Sequence, residues 1–453
     1  ILGHRRFLGL QARIPRGGGL YRPGDGGRCR DQRFMGGDVV AAGQSATITA
    51  MDTDASSPPR YQAACAVSGH LDTRTAGTEV AEQLDASIGD ACDLAIVFAS
   101  FHHCAALPEA VETIRETIHP RTLLAVTAES VLGGEEELEG VAGMSALALQ
   151  LPGVTLSPWT STPDDPIPLN RADEIAQRID LRDDFRAAIM MGDPFTTPIT
   201  RLLPAITNCG GQGRPVPVIG GMASGASQPG HNVLILDEKI IRAGAIGASI
   251  AGDIEIDFVV SQGCRPIGEP LVITKAKENV ILELRGKPAM QMLQEITSEL
   301  TEQERELLRR GVLVGNVIDE HKRHFGRGDF LVRNILGLDQ ERGGIVVGDL
   351  PRMGQTIQFH VRDAVTAAED LQLLLDVQEL KGRPFGGLLF SCNGRGERLF
   401  EESNHDISII NERLGSVPVA GFFAAGEIGP IGEQSFLHGH TAALALFRKP
   451  GGR

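Results

Sequence analysis

Two short loops hold the residues whose chemistry stands out. Ser261-Gln262-Gly263-Cys264-Arg265 and Ser391-Cys392-Asn393-Gly394-Arg395 each end an apolar run, and each sets Ser, Cys, an amide side chain and an Arg beside glycine. Exposed backbone N–H groups plus a guanidinium make an anion receptor, because Arg meets a carboxylate or phosphate with two parallel hydrogen bonds. The plainer alternative is a pair of tight turns, with the Arg paired to Glu427 or Asp406. Glu427 sits between a buried run and a Gly-Pro turn, where a carboxylate without a partner costs free energy. It either completes an ion pair with Arg395 or holds a ligand ammonium. An Arg for a carboxylate and a Glu for an amine together point to an amino-acid-like ligand. The expected ligand-binding set is Ser261, Gln262, Cys264, Arg265, Cys392, Asn393, Arg395, Glu427 and His438. It rests on Arg265, Arg395 and Glu427 meeting around one hollow.

Other chemistry is weaker. Cys264 and Cys392 could act as nucleophiles beside an Arg, which would lower a thiol pKa. That leaves a cysteine-dependent hydrolase, working with a histidine, as an alternative. A Cys ending a buried strand is more often a small apolar filler. His438 and His440 are expected on one face of the last strand, and with His405 and Glu427 they have workable metal spacing. Nothing in the sequence brings those ligands together, so no metal and no cofactor is expected. His102-His103 reads as a loop pair. Ser224 in Gly221-Met222-Ala223-Ser224-Gly225 stands one position late for a nucleophile elbow. Walker A, HExxH, GxSxG and full GxGxxG motifs are absent. No catalytic residue is assigned, and an enzyme is the less favoured reading.

The elements that must position these residues follow from periodicity. Leu94 to Ser100, Leu123 to Thr127 and Met144 to Leu151 read as strands, with a glycine loop at Gly133-Gly134. Val80, Leu84 and Ile88 mark one helix, and Leu107, Val111, Ile114 and Ile118 another. The order recurs from Ala187 to Leu236 and again from Gly387 to Phe447, where Asp406 is read as a helix cap. Val417-Pro418-Val419-Ala420-Gly421 echoes Val216-Pro217-Val218-Ile219-Gly220. The expected fold is α/β with mixed, α+β-like sheets, built from three repeated β-α-β-β units in two domains. A fourth unit is weighed from Thr356. The period is too long and irregular for a solenoid.

The same segments carry a family likeness. Ser391 to Gly396, Gly421-Phe422-Phe423-Ala424-Ala425-Gly426-Glu427-Ile428 and Phe436-Leu437-His438-Gly439-His440-Thr441 resemble the C-terminal half of the FIST sensory module. Pro217 to Gly221 and Val260 to Gly268 resemble its N-terminal half. The resemblance runs from roughly Ala91 to Phe447. It implies a small-ligand-binding domain of signal transduction, of a kind proposed to sense compounds such as amino acids, and it brings no catalytic residues. No kinase, cyclase, receiver or chemotaxis segment is visible. The output is therefore expected in a partner protein, or the chain acts as a stand-alone sensor. A protein-docking scaffold is the other non-enzymatic alternative.

Composition narrows the setting. The chain has 453 residues, enough for two or three domains, and 55 are glycine, which suits many tight turns. Residues 1–60 lack periodicity and are rich in Gly, Arg, Ser and Pro; they read as a disordered leader. Upstream translation, with Met35 or Met51 as the start, explains that leader more simply than an organelle transit peptide. Two domains are expected after it, an N-like one over 61–268 and a C-like one over 269–449. The net charge is −15. The first 50 residues hold eight Arg and three Asp, so the remainder carries about −20, which argues against nucleic-acid or anionic-membrane binding. No run of about 18 apolar residues is present to span a membrane. Seven scattered cysteines without a CxxC pair fit a reducing cytoplasm.

Overall fold

A computed structural model describes residues 60–89 and 92–451, so the leader expected over 1–60 lies almost wholly outside the described residues. The fold is mixed α/β, and three copies of one unit organise it. In the first copy, the strands are Gln62–Ser68, Leu94–Ser100, Thr122–Ala128 and Met144–Gln150, with helices Thr73–Ile88 and Leu107–Ile118 between them. Leu94–Ser100 and Thr122–Ala128 are parallel neighbours, and Met144–Gln150 returns antiparallel beside the former. The second copy repeats this with strands Val154–Ser161, Phe185–Gly192, Val218–Met222 and Ala245–Gly252. The third uses Glu255–Gln262, Gly386–Cys392, Val419–Ala424 and Thr441–Arg448. The central strands are buried on both faces, which is why they read as unbroken apolar runs rather than as alternating ones.

Each copy also contains a hairpin, and each hairpin joins the sheet of another copy. Val131–Gly133 pairs with Val419–Ala424 of the third copy. Leu234–Leu236 pairs with Thr122–Ala128 of the first, and Glu427–Ile431 pairs with Val218–Met222 of the second. The exchange is cyclic. It covers three strand edges that would otherwise be open, and it ties sequence-distant parts into one compact unit. The inner faces of the three sheets share a core that includes Phe98, Ile189, Ile219, Phe390 and Phe422. Helix pairs cover the outer faces. The sequence echo is a structural equivalence: a Cβ on Gly220 would lie 1.8 Å from the Met190 carbonyl oxygen, and one on Gly421 would lie 1.7 Å from that of Leu389. In both strands the neighbouring backbone leaves no room for a side chain.

The third copy is interrupted after Gln262. Strands Cys264–Lys277, Thr356–Arg362, Val312–Val317, Phe330–Asp339, Gly344–Val347 and Val280–Leu284 form a ring, closed by pairing between the first and the last. Its core contains Ile273, Ile281, Val314, Ile345 and Phe359. Thr356–Arg362 belongs to this ring, so it does not start a fourth unit. Gly268 lies within the strand Cys264–Lys277, at a left-handed φ of 62° and beside a register shift. Two further expectations are corrected. Val131–Leu138 is an exchanged hairpin rather than a loop. His438 ends one strand while His440 sits in a left-handed bend at φ 62°, so the two do not share a strand face.

Candidate functional site

The loop after Gly386–Cys392 turns inward. Gly396 takes a left-handed φ of 59°, and the chain doubles back so that Arg395 is fully buried. Its Nε and Nη2 donate to Asp406 Oδ2 and Oδ1, both at 2.8 Å. Ser391 Oγ donates to Asp406 Oδ2 at 2.9 Å, and the His405 ring lies 3.1 Å from Oδ1. Burial alone would raise the Asp406 pKa, but the Arg395 charge and its paired hydrogen bonds hold it well below the usual carboxylate range. Asp406 is therefore the counter-ion of a buried Arg inside the helix His405–Leu414, not that helix's cap. The plainer expectation for Arg395 is thus the observed one for two of its nitrogens. Its Nη1 is buried and has no hydrogen-bond partner.

The loop after Glu255–Gln262 differs in direction. Ser261 Oγ and the Gln262 N–H both donate to Asp370 Oδ2 at 2.9 Å. Cys264 faces inward and is buried, whereas the next residue of the strand must face outward. Arg265 accordingly leaves the site for Glu304 at 3.5 Å and Asp363 at 3.9 Å. The expected meeting of Arg265 with Arg395 and Glu427 around one hollow does not occur. Arg362 takes the place of Arg265: it donates to the Gly394 carbonyl oxygen, and its Nη2 lies 3.3 Å from where a Cβ on Gly394 would stand. A Cβ on Gly263 would lie 3.1 Å from Arg395 Nη1 and 2.7 Å from the His440 carbonyl oxygen. The glycines of the two loops are thus what let these groups approach.

Glu427 opens its hairpin and is fully buried. Oε2 accepts from the Thr441 N–H at 3.0 Å, while Oε1 has no partner. Burial pushes its pKa up to about 8, against the pull of the Thr441 hydrogen bond, the nearby Cys392 thiol and the Arg395 charge. The Cys392 thiol accepts from the Gly394 N–H at 3.4 Å and is pushed up to about 12 by burial and the neighbouring Glu427. Burial does the same to Cys264. Both thiols are far from the thiolate a nucleophile requires. His438 is held within its own hairpin by the Gly429 carbonyl oxygen at 2.9 Å, and burial lowers its pKa to about 4. Among the described residues, no group of three or more His, Cys, Asp or Glu is arranged to hold a metal.

Buried atoms without partners gather here. Arg395 Nη1, Arg362 Nε, Glu427 Oε1, Gln262 Oε1, Asn393 Oδ1 and His440 Nδ1 all belong to these loops or their immediate neighbours. Buried polar groups are paired in more than about nine cases in ten, so this concentration stands out from the rest of the interior. Asn393 also lines a cavity of about 170 Å³, with Glu129, Glu139 and Arg398 on its walls. Arg398 pairs with Glu129 and donates to the Asn393 carbonyl oxygen at 3.0 Å. Arg362 and Glu139 were not foreseen, and His440 was weighed only for a metal or a cysteine nucleophile. Arg362 comes from the inserted ring and Glu139 from the first copy's exchanged hairpin, and no spacing in the sequence links either to residues 391–427.

The fold and the family models agree on the class. A FIST N domain matches residues 93–287 and a FIST C domain matches 289–430, so the chain belongs to the FIST family, whose domains are associated with sensory roles in signal transduction. It is 37% identical over 388 residues to an uncharacterized protein of Mycobacterium tuberculosis, covering 84% of this chain and 98% of that one. A Mycobacterium bovis protein is 38% identical over 387 residues, 83% of this chain and 96% of its own length. A Methanocaldococcus jannaschii protein is 23% identical over 164 residues, 36% and 30% of the two chains.

Proposed function

We propose that this FIST protein senses a small zwitterionic, amino-acid-like ligand at the loops following Glu255–Gln262 and Gly386–Cys392. The observation that carries the reading is the set of unpartnered buried atoms of both signs. Arg395 Nη1 and Arg362 Nε are donors suited to a ligand carboxylate, and Glu427 Oε1 and Gln262 Oε1 are acceptors suited to an ammonium. The adjoining cavity of 170 Å³ is below the roughly 300 Å³ at which drug-sized sites begin, which suits a compact ligand. Asn393 belongs to both the cavity and the unpartnered set. The setting is cytoplasmic, in keeping with six free cysteines among the described residues. The signal passes to a protein partner.

Glu427 determines the test. With its pKa near 8 it carries a proton at pH 7, and an incoming ammonium displaces that proton. Calorimetry with an amino-acid panel at pH 7, in two buffers of different ionisation enthalpy, should show binding with net proton release. Glu427→Gln should bind more weakly and release no proton. Equal binding by both proteins, with no buffer dependence, counts against the reading.

A further inference from the structure

A second cavity lies away from these loops, near the opposite ends of the parallel strands. It is an open groove of about 560 Å³, a size typical of small-molecule sites. The turn Asp237-Glu238, at the tip of the hairpin that the second copy lends to the first, forms one wall. The strand Val154–Ser161 forms another, and the residues just before Thr122 form the third. Four cationic side chains line it: Arg115, Arg121, Arg178 and Lys239. Asp237 and Glu238 line it as well.

Two of these charges converge on one neutral residue. Lys239 Nζ lies 3.2 Å from Thr160 Oγ1, while Arg178 Nε and Nη2 lie 3.3 and 3.2 Å from the Thr160 carbonyl oxygen. The carboxylate beside them is Asp165, which is bound to Arg178 and largely exposed. Arg121 engages Asp93 through Nη1, leaving the rest of its fork directed at solvent, whereas Arg115 is neutralised by Glu112 and Glu238. Trp159, 3% exposed, also lines the groove, and its Nε1–H is buried without an acceptor. Asp165 already offsets part of this charge, and an anion entering the groove accepts from the remaining N–H groups of Lys239 and Arg121.

We propose that this groove is a second binding site, for an organic oxyanion (a phosphate ester or a carboxylate) held between Lys239 and Arg178 with Arg121 closing over it. Its apolar side, Pro120, Pro158 and Leu236, takes the organic part.

The chain's single Trp makes the site directly observable, because Trp159 lines it. Its fluorescence is followed while inorganic phosphate, a nucleoside 5′-monophosphate or citrate is added at constant ionic strength. A saturable change is expected, strongest for whichever organic anion fits the apolar side. Lys239 is exposed, so Lys239→Gln leaves the fold intact and should weaken binding about tenfold or more, as expected for a lost charged hydrogen bond. Arg121→Gln should weaken it to a lesser degree, and Glu427→Gln should bind like wild type, which separates this site from the first. The proposal is overturned if none of the three anions gives a saturable change. It is equally overturned if Lys239→Gln and Arg121→Gln both titrate like wild type, or if sodium chloride alone reproduces the response.

Discussion

Replacing Glu427 by Gln separates protonation from shape. The folded protein keeps the Glu427 proton up to about pH 8, whereas the unfolded chain gives it up near the ordinary value of 4.5. Between those values the native state binds one more proton than the unfolded state, so stability must fall as pH rises. The contribution is fully present below pH 4.5 and is lost by about pH 8. At about 1.4 kcal/mol per pH unit, that interval amounts to about 5 kcal/mol, with the opposing Thr441 hydrogen bond and Arg395 charge already counted in it. Gln is nearly isosteric, can still accept from Thr441, and cannot ionise. Urea unfolding of both proteins at pH 5, 7 and 9 should therefore show similar stabilities at pH 5 and a growing advantage for Glu427→Gln toward pH 9. Glu137 also titrates near 8 because of burial, but it is present in both proteins and cancels in the difference. Parallel stability curves would mean that Glu427 is already ionised in the folded protein, and the argument for proton release on ligand binding would go with it.

The Arg395–Asp406 pair should behave as a buried ion pair. Arg395→Met or Asp406→Leu alone leaves a charge without its partner and should cost about 3–5 kcal/mol in urea unfolding at pH 7, while the double variant should lose less than either single one; additive losses would show that the two groups act independently. Ser224 donates to the Phe423 carbonyl oxygen and accepts from the Glu129 N–H at 2.9 Å, so one hydroxyl ties all three copies together. Ser224→Ala should lower stability by about 1–3 kcal/mol, and an unchanged unfolding midpoint would contradict that stapling role.

Much of the fold could be read along the chain. The strands Leu94–Ser100 and Val419–Ala424 are buried on both faces, and their apolar runs announce it. The Gly220 and Gly421 segments look alike because the same close backbone approach excludes a side chain from both. The hairpin Val131–Leu138 was hidden because its strands are three residues each, too short to show a period. Its partner lies almost 300 residues further on. Arg265 and Arg395 occupy loops of nearly identical composition and part company all the same. One stands on a strand, where alternation turns it out beside the inward Cys264; the other immediately precedes the left-handed Gly396 and is buried against Asp406.

Local composition alone determined the α/β class, the repeated unit and the strand-end glycine loops, since each depends on residues close together in the chain. Tertiary structure alone decided that Arg362 rather than Arg265 joins Arg395 at these loops, that the hairpins trade places among the copies, and that a groove of Arg and Lys exists at all. Those outcomes depend on which distant backbones meet, and a buried charge or a shared sheet edge leaves no periodic trace in the chain that carries it.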